Sequence, residues 1–140
     1  NRAQRIEARD RSAPKRPQAV PAVKATVSKR ILLVEDDPLI RANTAELLIE
    51  LGHEVMEAET GAEALRQAAD GDLDILVTDI GLPDVSGEDL AGQLADIKPD
   101  LKIIFATGHA IRSHAQPGAV SLIKPYNKDD LAAAIAKATA

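Results

Sequence analysis

The stretch RILLVEDDPLIRANTAELLIELG, residues 30–52, decides the fold. Its apolar run Ile31-Leu32-Leu33-Val34 has no polar alternation, the pattern of a strand covered on both faces. The run stops on Glu35-Asp36-Asp37. Asp37 supplies an N-cap carboxylate, Pro38 suits the first helical position and Gly52 follows the last periodic residue. Between them Ile40, Thr44, Leu47, Leu48 and Leu51 recur at helical spacing, so strand 31–35 and helix 38–51 form one βα unit.

The same grammar repeats outward from this unit. A strand over about 53–58 precedes a helix that opens on the capping box Thr60-Gly61-Ala62-Glu63 and stops at Gly71. Strand 74–79 leads to a helix that starts near Ser86, with Asp89 three residues on. That helix is expected to bury Leu90, Leu94 and Ile97 and ends before Pro99. Strand 102–107, strand 120–123 and a last helix capped by Asn127 and Asp130 complete the series. Gly108, Pro117 and Gly118 leave room in 108–119 for only a shortened fourth helix. The fold class is α/β, a doubly wound five-stranded parallel sheet of flavodoxin-like (βα)5 type.

Charge divides the chain. Residues 1–30 are net +7 and residues 31–140 net −12, which together give the −5 of the whole. Residues 1–29 are rich in Arg, Pro and Ala and lack apolar periodicity, so they read as a linker ahead of a folded domain over 30–140. An acidic body with one Tyr, one Phe and no Trp argues against nucleic-acid partners, which need phosphate neutralisation or stacking surfaces. With no cysteine, thiol chemistry and cysteine-held metals are excluded. No membrane-spanning run or secretory pattern is present, so no membrane partner and a cytoplasmic location are expected. The start at Asn1 rather than Met reads as a processed or excised piece of a longer polypeptide.

In an open parallel sheet the carboxyl ends of the strands share one edge. Glu35, Asp36, Asp79, Thr107 and Lys124 all fall at such ends. Hard carboxylate oxygens suit Mg²⁺, which relieves their mutual repulsion. A carboxylate is also a nucleophile towards phosphorus, and a lysine and a hydroxyl can neutralise the equatorial oxygens of a phosphoryl group. Taken singly, each residue has a plainer reading: Asp37 as a cap, Asp79 as a turn residue, Thr107 as a loop hydroxyl, Lys124 as a solvated charge. Their coincidence at one edge favours a phosphoryl site.

The motifs ILLVEDDPLI, VTDIGLPDVSGEDL, IIFATG and LIKPY, in this order and with 43 residues from Asp36 to Asp79, resemble the receiver domains of two-component response regulators over residues 30–139. That resemblance implies Asp79 as phosphoacceptor, Asp36 as a direct Mg²⁺ ligand with Glu35 assisting through water, and the Gly81 backbone carbonyl completing the protein's share. It implies Thr107 and Lys124 on the phosphoryl oxygens and a cis Lys124–Pro125 bond. The donor would be a sensor histidine kinase or histidine phosphotransfer protein. The domain would catalyse only its own phosphorylation and dephosphorylation, as a monomer or weak dimer.

Two departures are visible. The family's aromatic three residues before the lysine is replaced by Ser121, and only 17 residues separate Thr107 from Lys124. FATGH at 105–109 resembles an atypical subgroup and the receivers of hybrid histidine kinases. His109 either shields the aspartyl-phosphate or positions water beside it, or is a solvated loop residue; His53 and His114 read as structural or exposed. The context is either the C-terminal receiver of a hybrid kinase or a single-domain regulator, with no DNA contact through a fused domain. A haloacid dehalogenase-like phosphatase is the rival enzyme class, but its nucleophile belongs in a DxD motif on the first strand. A binding-only pseudo-receiver is the remaining alternative.

Overall fold

A computed structural model describes residues 27–108 and 118–140. In chain order the elements are β1 (Arg30–Val34), α1 (Pro38–Glu50), β2 (Glu54–Ala58), α2 (Gly61–Ala69), β3 (Ile75–Asp79), α3 (Gly87–Ile97), β4 (Lys102–Thr107), β5 (Val120–Ile123) and α4 (Lys128–Ala138). The five strands form one parallel sheet in the order β2-β1-β3-β4-β5. Strand order reverses between β1 and β3, which opens a crevice at their carboxyl ends.

Alternation along each strand divides the core in two. Ile31, Leu33, Ile75, Val77, Ile104, Val120 and Leu122 face α1 and α4, packing on Ala45, Leu48, Leu131 and Ile135. Leu32, Val34, Leu76, Ile103 and Phe105 face α2 and α3, packing on Ala64, Ala68, Leu90 and Leu94. Each fully buried Leu or Ile contributes about 1.5–3 kcal/mol, and β1 and β3 present such residues on both faces.

The helix ends follow the local chemistry. Asp37 accepts from the Leu39 and Ile40 amides at 2.9 and 3.1 Å, with Pro38 in the first turn. Gly52 leaves α1 at φ +99°, a conformation that disfavours a side chain. At α4 the Asn127 and Asp130 side chains and amides form a reciprocal box.

Two expectations are corrected. Ile97 is 58% exposed rather than buried. It closes the final turn of α3, and the face that meets the sheet runs through Gly87, Leu90, Ala91 and Leu94 instead. The Thr60–Glu63 box is half formed: Thr60 accepts from the Glu63 amide, whereas the Glu63 carboxylate takes the Glu59 amide one residue further out. The shortened fourth helix, His109 and His114 fall on 109–117, outside the described residues.

Candidate functional site

The edge formed by the strands' carboxyl ends brings the acids together. Glu35 follows β1, and its amide bonds the Ala58 carbonyl at 3.0 Å, which sets the chain's path beside β2. The side chain turns inward and is 4% exposed. One of its oxygens accepts from the Asp37 amide at 3.1 Å and the other from Lys124 Nζ at 3.0 Å. Asp36 is exposed, and Asp79 ends β3 half-buried. One carboxylate oxygen from each of Glu35, Asp36 and Asp79 lies within 4.8 Å of the others.

Lys124 reaches this cluster from the loop after β5. Its amide donates to the Thr107 carbonyl at 2.7 Å, which ties the ends of β4 and β5, and the Lys124–Pro125 bond is cis. Its ammonium sits 3.4 Å from Asp79 Oδ1 as well as against Glu35. Burial alone pulls Lys124 down, but the hydrogen bond to Glu35 and the two carboxylate charges outweigh it and hold the ammonium above its ordinary value. Burial pushes the Glu35 carboxyl up, against the opposing pull of the Asp37 amide and of Lys124. Thr107 is half-buried at the same edge, at the end of β4.

The backbone after Asp79 is shaped by contacts the sequence did not announce. Gly87 opens α3 directly against the carbonyl of Asp79, where a Cβ would overlap that backbone. Its amide donates to the Ile80 carbonyl at 2.7 Å, and Gly81 forms an antiparallel bridge with Ser86. Arg41 on α1 donates to the Glu35 carbonyl at 2.8 Å and pairs with Glu57 at 3.4 Å, which fixes the turn that carries Glu35 and Asp36. Tyr126 is anchored on α1: its hydroxyl and that of Thr44 share a hydrogen bond at 2.7 Å and its ring packs on the α1/α4 face. Ser121 pairs with Phe105 on the neighbouring strand.

The donor set is entirely oxygen and is gathered tightly. Opposite ligands of an octahedral Mg²⁺ are separated by about 4.2 Å, close to the spread of these carboxylates. The residues therefore fit a small hard dication, with Lys124 as a fixed positive charge against both Glu35 and Asp79.

Residues 31–136 match the response regulator receiver domain. Response regulator receiver protein CpdR of Brucella abortus is 38% identical over 114 residues, which cover 78% of this chain and 95% of that protein. Response regulator TrrA of Thermotoga maritima, solved in complex with Mg²⁺-BeF, aligns with a TM-score of 0.70 at 38% identity, over 78% of this chain and 97% of that one. The receiver domain of the hybrid histidine kinase CckA aligns with a TM-score of 0.70 at 31% identity, over 79% of this chain and 99% of that domain. Against the full-length sensor kinase CckA of Brucella abortus, the match is 38% identical over 59% of this chain but spans 9% of the kinase.

Proposed function

The chain belongs to the response regulator receiver domain family, the signalling module of two-component systems, and we propose that it accepts a phosphoryl group on Asp79 from a phosphohistidine, at a Mg²⁺ site formed with Glu35 and Asp36. The observation that carries this reading is the gathering of three carboxylates within 4.8 Å around Asp79, with Lys124 Nζ 3.4 Å from the same residue.

Asp36 and Asp79 would hold the ion directly, Glu35 through water, and the Gly81 carbonyl would complete the set. The bound ion would supply positive charge to the phosphoryl oxygens. An Asp79 oxygen forms a bond to phosphorus as the N–P bond of the donor breaks and its electron pair returns to the imidazole. Lys124 neutralises the developing equatorial charge, and the Thr107 hydroxyl donates to one of the same oxygens. The small Gly81, with open space where a side chain would lie, leaves water a path to the phosphorus for later hydrolysis.

Residues 30–140 form the signalling unit and residues 1–29 a linker. No described helix is long and apolar enough to cross a membrane, and the net −12 body offers nucleic acid little attraction; a cytoplasmic phosphorelay protein, monomeric or weakly dimeric, fits these properties. The test is transfer from a phosphorylated histidine kinase or phosphotransfer protein carrying labelled phosphorus. Label moves to this chain with Mg²⁺ and stays on the donor with EDTA. Transfer that ignores EDTA contradicts the cation site.

A further inference from the structure

The loop after Asp79 leaves β3 at Ile80 and joins α3 at Gly87. It is closed at its base by the hydrogen bond between Gly87 and Ile80 and by the Gly81–Ser86 bridge. Gly81 is exposed, and a Cβ there would meet nothing within 4 Å, so no packing of its own aims its carbonyl. Ile80, Leu82 and Val85 pack on the α2/α3 side of the core. Such apolar contact holds the loop down but is non-directional.

Beyond the bonds at the base, a directional anchor comes from Asp84 at the tip. Its Oδ1 accepts from the Gly61 amide and its Oδ2 from the Ala62 amide, both at 2.9 Å, and Oδ1 also takes the Val85 amide at 3.0 Å. Two oxygens on two successive amides fix the carboxylate plane against the first turn of α2. Those amides have no partner within the helix, and the helix N-terminus favours negative charge. Gly61 lies under Val85 so closely that a Cβ would overlap the valine side chain. The helix has caps of its own, Thr60 on the Glu63 amide and Glu63 on the Glu59 amide. Asp84 is therefore a strap between two loops at the acidic edge.

We propose that Asp84 is a positioning residue for the metal pocket, anchoring through Gly61 and Ala62 the loop that carries the Gly81 carbonyl and so setting the affinity for the divalent cation. This rests on the cation site proposed above and extends it to a residue that touches neither the ion nor the phosphoryl group. Asp84→Ala frees the tip and leaves Glu35, Asp36 and Asp79 untouched. Asp84→Asn keeps the oxygen that serves Gly61 and Val85 and loses the bond to Ala62, so its effect is intermediate.

A plain helix cap is distinguished by Thr60→Ala, which weakens the same helix terminus without touching the loop. Mg²⁺ is titrated calorimetrically into the full 140-residue chain and its variants, with melting recorded for each. Asp84→Ala is expected to bind about tenfold more weakly, Asp84→Asn about threefold, and Thr60→Ala within about twofold of the unmodified chain. Amide exchange without Mg²⁺ gives a second readout: the Gly87 amide, which donates to the Ile80 carbonyl at the base of the loop, exchanges faster in the Asp84 variants and unchanged in Thr60→Ala. Equal losses of affinity in Asp84→Ala and Thr60→Ala reduce Asp84 to a cap and overturn the proposal. Unchanged Mg²⁺ affinity in both Asp84 variants also overturns it while leaving the cation site standing. Absence of Mg²⁺ binding by the unmodified chain overturns both. Asp84→Asn, which keeps two of the three bonds, decides the matter if Asp84→Ala does not fold.

Discussion

Lys124 Nζ lies 3.0 Å from Glu35 Oε1, joining the loop after β5 to the end of β1 across 89 residues of sequence. Glu35 is buried, and a lone buried carboxylate costs several kcal/mol by effective desolvation. The lysine offsets part of that cost, and Glu35 in turn holds the lysine on the Asp79 side of the cluster. The ion pair thus does two things: it permits an acid inside the fold, and it aims a positive charge at the residue proposed to accept phosphorus.

Lys124→Ala removes the counter-charge and leaves Glu35 without its side-chain partner. We expect the chain to stay folded, with a loss of about 1–3 kcal/mol in urea unfolding. Phosphorylation of Asp79 slows by at least about tenfold, because an electrostatic stabiliser of the transferring group is gone. An unchanged rate by rapid-quench mass analysis would remove Lys124 from the site.

Gly87 and Gly81 make a contrasting pair. A Cβ at Gly87 meets the carbonyl of Asp79, which is backbone and cannot move aside locally, whereas a Cβ at Gly81 meets open space. Gly87→Ala is expected to cost about 1–3 kcal/mol and to lower phosphorylation by displacing Asp79. Gly81→Ala keeps the melting temperature. Equal melting temperatures for the two variants in parallel thermal scans would contradict this reading of the loop.

His53 is 5% exposed, and its Nδ1 accepts from the Lys29 amide at 3.0 Å. Burial, with a smaller contribution from the Lys29 charge, pulls its pKa below the ordinary 6.5. A base depressed on folding leaves the folded state with fewer bound protons than the unfolded state. Stability therefore falls as pH drops through about 6.5 and levels off below the folded value. His53→Asn keeps an acceptor near the Nδ1 position and does not titrate, so its melting temperature is flatter between about pH 7 and pH 5. Parallel slopes in the two proteins would assign the pH dependence to other groups.

The acidic edge was legible because its parts sit at the ends of apolar runs. Once 31–34, 75–77 and 120–123 read as parallel strands, Glu35, Asp36, Asp79 and Lys124 had to share an edge, and the sheet bears that out. His53 reads as structural or exposed, and of the two it is buried, with its Nδ1 on the Lys29 amide. What escaped depends on partners distant in sequence. Nothing near Asp84 in the chain marks it, because the amides it binds lie 22 and 23 residues upstream. Arg41 has no sequence signal of its own either, since its partner Glu57 lies on β2. Ile97 kept the helical period but stands where α3 no longer faces the sheet. Periodicity gives a face; only the neighbouring element fixes how far along a helix that face stays covered.

Everything proposed for this site turns on Asp79 taking up a phosphoryl group with the help of a divalent cation. The most direct measurement is intact mass after incubation with acetyl phosphate and Mg²⁺, beside the Asp79→Asn variant. One phosphoryl adduct is expected on the unmodified chain, released by hydroxylamine, absent with EDTA and absent from Asp79→Asn. An adduct of equal yield on Asp79→Asn would place the phosphoacceptor elsewhere. A folded, Mg²⁺-binding chain that takes no phosphoryl group from acetyl phosphate or from a phosphorylated histidine kinase would not be a phosphoacceptor and would leave a binding-only receiver.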